Sequence, residues 1–172
     1  MDPIERTTLD NSTALLAIDP GLNGTGWAMW HPPRSPAPTA AGVLRKRFDN
    51  YVVTANWLAD ELQKVINRRK VGMIVTCEFP EYQTGATRTM GWMRGDLQKL
   101  TYLVGVLSRM VHDQGAVFEP VPVSQWKGQL PKDIVIDRIQ HALGARTCTK
   151  LGITTHAWDA TGIGLWRLGV FK

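Results

Sequence analysis

Four side chains capable of acid, base or metal-binding chemistry lie where the fold could bring them together: Asp19, Glu78, His156 and Asp159. Asp19 follows an apolar run at 14–18, and Glu78 follows a second apolar run at 73–77. Because neighbouring parallel strands expose their carboxyl ends at one edge of a sheet, two such strands would pair these carboxylates. Carboxylates are preferred ligands of Mg²⁺, and Mn²⁺ tolerates an added imidazole. Two such ions could stabilise the attacking and leaving oxygens of a phosphodiester.

The other two candidates, His156 and Asp159, are three residues apart in a predicted helix and therefore share one of its faces. Docking of that helix at the sheet edge would complete a metal site. Each residue also has a structural interpretation: Asp19-Pro20-Gly21 is a common turn, and Glu78 could be a solvated strand end. Asp159 in a first helical turn complements the helix dipole, and His156 could be a packed or surface histidine. Spacing alone leaves both interpretations open.

Apolar periodicity predicts the elements that must position these residues. Strands are expected at 14–19, 25–30, 41–48, 73–78 and 117–123, with a proline-rich hairpin loop at 31–38 and a polar loop from 79 to about 89. Helices are expected at 51–69, 97–111, 131–143 and 155–168, and 124–128 is interpreted as a turn. Strands come first and then alternate with helices, which is typical of the α/β class.

Length and composition favour one domain over residues 1–172, with 1–12 as a flexible N-terminus. The 44% hydrophobic and 20% charged residues are ordinary for a globular domain, and the net charge of +5 favours a polyanionic partner. Two cysteines, Cys77 and Cys148, argue against a disulfide framework and for a reducing compartment. No stretch approaches the roughly 20 apolar residues that span a bilayer, so a cytoplasmic, non-membrane protein is expected.

Ordered motifs along the chain resemble the RuvC family of Holliday junction resolvases, within the ribonuclease H-like superfamily: Ala17-Ile-Asp-Pro-Gly21, Gly24-Thr-Gly26, Cys77-Glu78 and His156-Ala-Trp-Asp-Ala160. The resemblance covers about residues 15–168. It implies a ribonuclease H-like fold with a central mixed five-stranded sheet flanked by helices. The loops at 31–38, 79–90 and 124–128 look like those of a phage-encoded or divergent relative, in a bacterial or phage-infected host cell.

The resemblance also implies roles for residues. Asp19, Glu78, His156 and Asp159 would be the catalytic residues and would bind two Mg²⁺ ions, with Mn²⁺ as a substitute. The family forms a homodimer through its long helices, which corresponds here to the stretch 91–111. Gly91, Gly95 and Gly105 would allow close approach there, although packing within one subunit also explains them.

Candidate DNA-binding residues that could flank this acidic group follow the Glu78 strand or precede the acidic helix: Phe79, Tyr82, Arg88, Arg94, Lys127 and Lys132. The cations suit backbone phosphates, and the two aromatic residues could stack on an unpaired base at a junction centre. Solvated surface cations and aromatic residues that anchor their own loop are the alternatives.

The function expected from these features is metal-dependent hydrolysis of branched DNA, in particular resolution of four-way junctions by paired symmetric nicks during DNA recombination and repair. A ribonuclease H-like hydrolase of an RNA strand and a non-catalytic branched-DNA binding module are the alternatives. Actin-like ATPases and sugar kinases share the Asp-x-Gly strand ending, but they need two such domains, and this chain has the length of one.

Overall fold

The computed structural model describes residues 9–10, 12–31, 35–67, 72–81 and 95–171. Five strands lie in this part of the chain: β1 (Ala14–Asp19), β2 (Thr25–Trp30), β3 (Ala40–Leu44), β4 (Met73–Phe79) and β5 (Val117–Pro122). Six helices accompany them: α1 (Tyr51–Asn67), α2 (Asp96–Asp113), α3 (Val123–Trp126), α4 (Lys132–Leu143), α5 (Ala145–Lys150) and α6 (Thr155–Arg167).

The five strands form one mixed sheet in the order β3-β2-β1-β4-β5. Strand β4 is parallel to both β1 and β5, whereas β2 is antiparallel to β1 and β3. Every strand except β2 therefore runs in the same direction, and four strands end at one edge of the sheet. The α/β class and the mixed five-stranded sheet flanked by helices, both predicted from the sequence, are confirmed.

Strand β1 is buried along its whole length because both faces of the sheet are covered. Leu16 and Ile18 pack into a cluster with apolar residues of α1 and α2. Leu15 and Ala17 face the other way, into a cluster with residues of α4 and α6. The continuous apolar run at 14–18 is thus a strand between two helical layers.

Helix α6 lies almost directly on the sheet, and two glycines permit this approach. A Cβ atom at Gly26 in β2 would overlap the main-chain carbonyl of His156. One at Gly164 in α6 would overlap the ring of Trp30, which is fully buried. The first turn of α6 is therefore held against β2 by main-chain contact, which fixes where His156 and Asp159 stand.

A buried ion pair joins α6 to β5. The Arg167 guanidinium donates from Nε to Glu119 Oε2 at 2.6 Å and from Nη2 to Oε1 at 3.0 Å. The two side chains are only 6% and 8% exposed. Thr76 in β4 also donates a hydrogen bond to Glu119 Oε2, at 3.4 Å. The ion pair therefore holds the C-terminal end of α6 against β5, at one edge of the sheet.

Two strand ends and two short helices differ most from the sequence-based expectations. The strand expected to continue to residue 48 ends at Leu44, because its partner β2 begins at Thr25, opposite Leu44, and offers no further pairing. Strand β4 extends to Phe79, which pairs with Pro122 and is not in the following loop. The turn expected at 124–128 contains helix α3, and α5 was not anticipated, since helices of four and six residues are too short to show a helical period.

Strand β5 forms one edge of the sheet, and prolines occupy two of its positions. Pro120 lies opposite Cys77 of β4, and Pro122 lies opposite Phe79. Proline is tolerated on an edge strand because a donor facing away from the sheet is not needed for pairing.

Two further expectations concern the N-terminus and membranes. Most of the segment 1–12 lies outside the described residues; within it, Leu9 packs against the α4 and α6 side of the core, and Asp10 accepts hydrogen bonds from Ser12. In the described ranges, no helix combines the length and apolarity needed to cross a bilayer.

Candidate metal centre

Asp19 ends β1 at the sheet edge where four strands finish, and it is only 7% exposed. Its Oδ2 lies 2.8 Å from Nδ1 of His156, in the first turn of α6. The tight turn after Asp19 is closed by Thr25 Oγ1, which donates to the carbonyl of Gly21 at 3.0 Å. The strand end and the helix start thus present their side chains to each other.

Asp159 completes a compact group with Asp19 and His156. One ligand atom from each of the three side chains lies within 4.8 Å of the other two. Asp159 is 6% exposed, and the spacing between positions 156 and 159 places both side chains on the face of α6 that meets the sheet edge. Two carboxylates and an imidazole form a donor set that fits Mg²⁺ or Mn²⁺, so this group could bind a metal ion.

Glu78 lies at the same sheet edge, in the strand beside β1, but outside this compact group. Its Oε2 accepts a hydrogen bond from Trp126 Nε1 at 3.0 Å. Helix α3, which carries Trp126, is itself held by Glu81: the Ser124 backbone N–H and hydroxyl both donate to the Glu81 carboxylate at 2.9 Å. Glu78 is therefore oriented by a side chain 48 residues away.

Two of the predicted DNA-binding residues, Lys127 and Lys132, contact Asp159. Lys132 Nζ lies 2.6 Å from Oδ2, and Lys127 Nζ lies 3.5 Å from Oδ1. The Lys127 ammonium also lies 4.8 Å from the ring centre of Trp126. The two cations balance the charge of the buried Asp159, with the shorter contact at Oδ2.

The remaining predicted DNA-binding residues are separate from this group or outside the described residues. Phe79 is 38% exposed and lines a groove of about 450 Å³ between α2 and β5, together with Thr101, Val104, Gly105, Ser108, Phe118 and Pro120. Tyr82, Arg88 and Arg94 lie outside the described residues, as does the start of the stretch 91–111 predicted for a dimer interface. Helix α2 itself covers Asp96–Asp113.

The pKa values of Asp19, His156 and Glu78 are all raised above their ordinary values. Burial raises the pKa of Asp19, against the opposing effect of its hydrogen bond with His156. That hydrogen bond raises the pKa of His156. Burial, and then the negative charge of Asp19, raises the pKa of Glu78 from its ordinary 4.5 to about 7. Buried carboxylates that lie close together resist ionisation, because their negative charges are desolvated and repel each other. A bound cation would stabilise the ionised forms.

The free energy of unfolding of the metal-free protein is expected to fall as pH rises from about 4.5 to 7. Over this interval the folded chain keeps a proton on Glu78 that the unfolded chain has released, so the unfolded state binds fewer protons. The loss approaches about 3 kcal/mol. Urea unfolding in EDTA across this range measures it.

Glu78→Gln is the control, because glutamine stays neutral throughout. Asp19 and His156, whose pKa values are also raised, act with the same sign and leave a smaller residual slope in this variant. An equal pH dependence in both proteins would contradict the assignment to Glu78.

Two side chains near the group were missed by the sequence analysis. Trp126 adjoins a lysine that was identified, but nothing in its spacing indicates a contact with Glu78. Arg45 donates from Nη2 to the hydroxyl of Thr155 at 2.6 Å, next to His156. The predicted strand ran to residue 48, so Arg45 was expected inside the sheet and not at its edge.

Comparison of the sequence with protein-family models and with curated proteins gives no significant match. The fold, in contrast, is similar to that of RuvC from Thermus thermophilus. One structure of that protein matches with a TM-score of 0.61 at 14% identity, covering 92% of this chain and 98% of RuvC. A second, in complex with a Holliday junction substrate, matches with a TM-score of 0.57 at 14% identity, covering 93% and 98%. The chain therefore has a RuvC-like fold.

Proposed function

We propose that the protein is a divalent-metal-dependent endonuclease that cleaves branched DNA, with four-way junctions as its main substrate. The observation that carries the proposal is the convergence of Asp19, His156 and Asp159 at one sheet edge, with Glu78 on the adjacent strand. The similar structure of T. thermophilus RuvC with a Holliday junction substrate supports branched DNA as the substrate class.

In this proposal, Asp19, His156 and Asp159 hold one Mg²⁺ or Mn²⁺ ion, and Glu78 contributes to a second. Bound divalent ions would activate water and neutralise charge on the scissile phosphate. Hydrolysis would leave 5′-phosphate and 3′-hydroxyl ends. The donor set is hard and mostly anionic, which favours these ions over softer transition metals.

One ring nitrogen of His156 is hydrogen-bonded to Asp19, and the other is free to bind a ligand. Its Nδ1 bonds Asp19, so Nε2 is the atom that can bind a metal ion or orient the attacking water. The hydrogen bond to Asp19 fixes the ring, in the way that a carboxylate orients a histidine ligand. His156 thus serves as a ligand or a water-positioning residue.

Lys127 and Lys132 can also bind DNA. When a metal ion neutralises Asp159, the two ammonium groups are released from that carboxylate and can bind a backbone phosphate. Lys132 is half-exposed and has a flexible stem that allows this movement. Both lysines would then hold the DNA strand beside the cleaved bond.

A homodimer through α2 would place two active sites on one junction. The exposed side of α2 carries Tyr102, and it borders the groove lined by Phe79 and Gly105. An interface related by a twofold axis would direct symmetric nicks to opposing strands.

Cleavage of end-labelled four-way junction, linear duplex and RNA:DNA hybrid of matched sequence tests the proposal. We expect paired symmetric nicks on the junction with Mg²⁺ or Mn²⁺, and none with EDTA. Cutting confined to the hybrid would instead identify a hydrolase of RNA strands. If the protein binds the junction but does not cleave it in the presence of Mg²⁺ or Mn²⁺, it is a non-catalytic binding module.

A further inference from the structure

Arg45 stands at the sheet edge that carries the metal centre. It directly follows Leu44, the last residue of β3, which pairs with Thr25 of β2. Because β3 runs parallel to β1, Arg45 and Asp19 leave the sheet at the same edge. The sheet order then places Arg45 on the β3 side of the carboxylates and Lys127, which follows β5 and α3, on the other side.

The Arg45 side chain is held beside His156. Its Nη2 donates to Thr155 Oγ1 at 2.6 Å. Both Arg45 and His156 pack over Gly24: a Cβ atom built there would lie 3.3 Å from Arg45 Nε and 3.3 Å from His156 Cδ2. The guanidinium therefore adjoins the imidazole that binds Asp19.

The charge of Arg45 is not neutralised within the described part of the chain. Arg45 is exposed, and none of the described carboxylates lies within ion-pairing distance of it. Its hydrogen-bond partner is an uncharged hydroxyl, which occupies one of five N–H donors. The remaining donors form the planar fork that suits a phosphate group.

We propose that Arg45 binds a DNA backbone phosphate on the β3 side of the metal centre, opposite the phosphate contacted by Lys127 and Lys132. This inference rests on the proposed function. The DNA strand would thus be gripped on both sides of the cleaved bond, which fixes its register over the metal ions.

A purely structural role for Arg45 is the competing explanation. Thr155 has a φ of 34°, a left-handed conformation that a β-branched residue rarely adopts. The Arg45 hydrogen bond could simply stabilise this first residue of α6. A variant that removes the hydroxyl and leaves the charge separates the two roles.

The test is binding of a fluorescently labelled four-way junction in EDTA, followed by anisotropy at several salt concentrations. For Arg45→Gln we expect about tenfold weaker binding, and a salt dependence of log Kd that is shallower by about 0.9. Arg45→Lys should keep the salt dependence and lose part of the affinity, because lysine lacks the fork.

The matched control is Lys46→Gln, which removes the neighbouring positive charge. The Lys46 ammonium lies 5.0 Å from the ring centre of Phe48 and 5.6 Å from that of Trp57, and so is occupied by rings of its own chain. We expect its binding to stay within about twofold of the wild type. Thr155→Ala should likewise bind with the wild-type salt dependence.

Two results would overturn the inference while the proposed function stands, in each case with a wild-type protein that cleaves the junction. In the first, Arg45→Gln binds the junction with the same affinity as Lys46→Gln. In the second, Thr155→Ala loses as much affinity and salt dependence as Arg45→Gln. Absence of junction binding by the wild type would overturn both. Thermal unfolding of each variant ensures that folded proteins are compared.

Discussion

Asp19→Asn is expected to slow junction cleavage by about 10³-fold or more and to leave junction binding nearly unchanged. The side chain keeps its shape, but an amide is a poor metal ligand and carries no charge. Asp19 is also the partner that orients His156, through a contact of 2.8 Å, so one substitution removes a ligand and loosens a second. Single-turnover cleavage with Mg²⁺ and anisotropy on the same junction measure the two effects separately.

Asp137→Asn provides the matched control for that experiment. Asp137 lies on the exposed side of α4 and is not one of the three residues of the candidate metal site, so the same change of charge and shape leaves that group intact. Its cleavage rate should stay within about twofold of the wild type. Retention of most activity by Asp19→Asn would mean that the group at the sheet edge is not the catalytic centre, whatever the protein binds.

Arg167→Met is expected to lower the free energy of unfolding by about 3 to 5 kcal/mol. The substitution leaves the Glu119 carboxylate, which is 8% exposed, without the guanidinium that now donates to both of its oxygens. Methionine fills much of the same volume, so the loss reflects removal of the positive charge from beside a buried carboxylate more than a cavity. Urea unfolding near neutral pH gives the value.

An exposed ion pair offers the comparison. Arg109 and Asp113 are one turn apart on α2, 2.9 Å from each other, and their side chains are 76% and 45% exposed. Arg109→Met should therefore cost less than about 0.5 kcal/mol. A double variant, Glu119→Leu with Arg167→Met, should recover much of the stability, since apolar replacement of a whole buried pair is often neutral. Equal losses for Arg167→Met and Arg109→Met would contradict this account.

The sheet and the candidate site differ in how much of each can be predicted from sequence. Strands such as β1 are buried on both faces, so they appear as continuous apolar runs, and the sites at their carboxyl ends follow from strand direction alone. His156 and Asp159 share a helical face through their spacing. The contact between Trp126 and Glu78 joins residues 48 positions apart, and no local period indicates it.

Arg45 illustrates a different limit. The sequence-based prediction extends this strand to residue 48, and a strand of that length would carry Arg45 within the sheet. Its actual end is decided by the length of β2, a long-range pairing that only the folded chain displays. Cations near an acidic group are visible in sequence, but which of them lies beside the group depends on where the paired strands stop.

The prolines of β5 bear on how the protein behaves at high concentration. An exposed edge strand ordinarily offers a row of N–H and C=O groups to which another chain can add a strand, and this is a common origin of aggregation. Pro120 and Pro122 carry no N–H. A strand that approached the outer side of β5 would therefore find no hydrogen-bond donor at either of these positions. We therefore expect β5 to resist edge-to-edge assembly at high protein concentration.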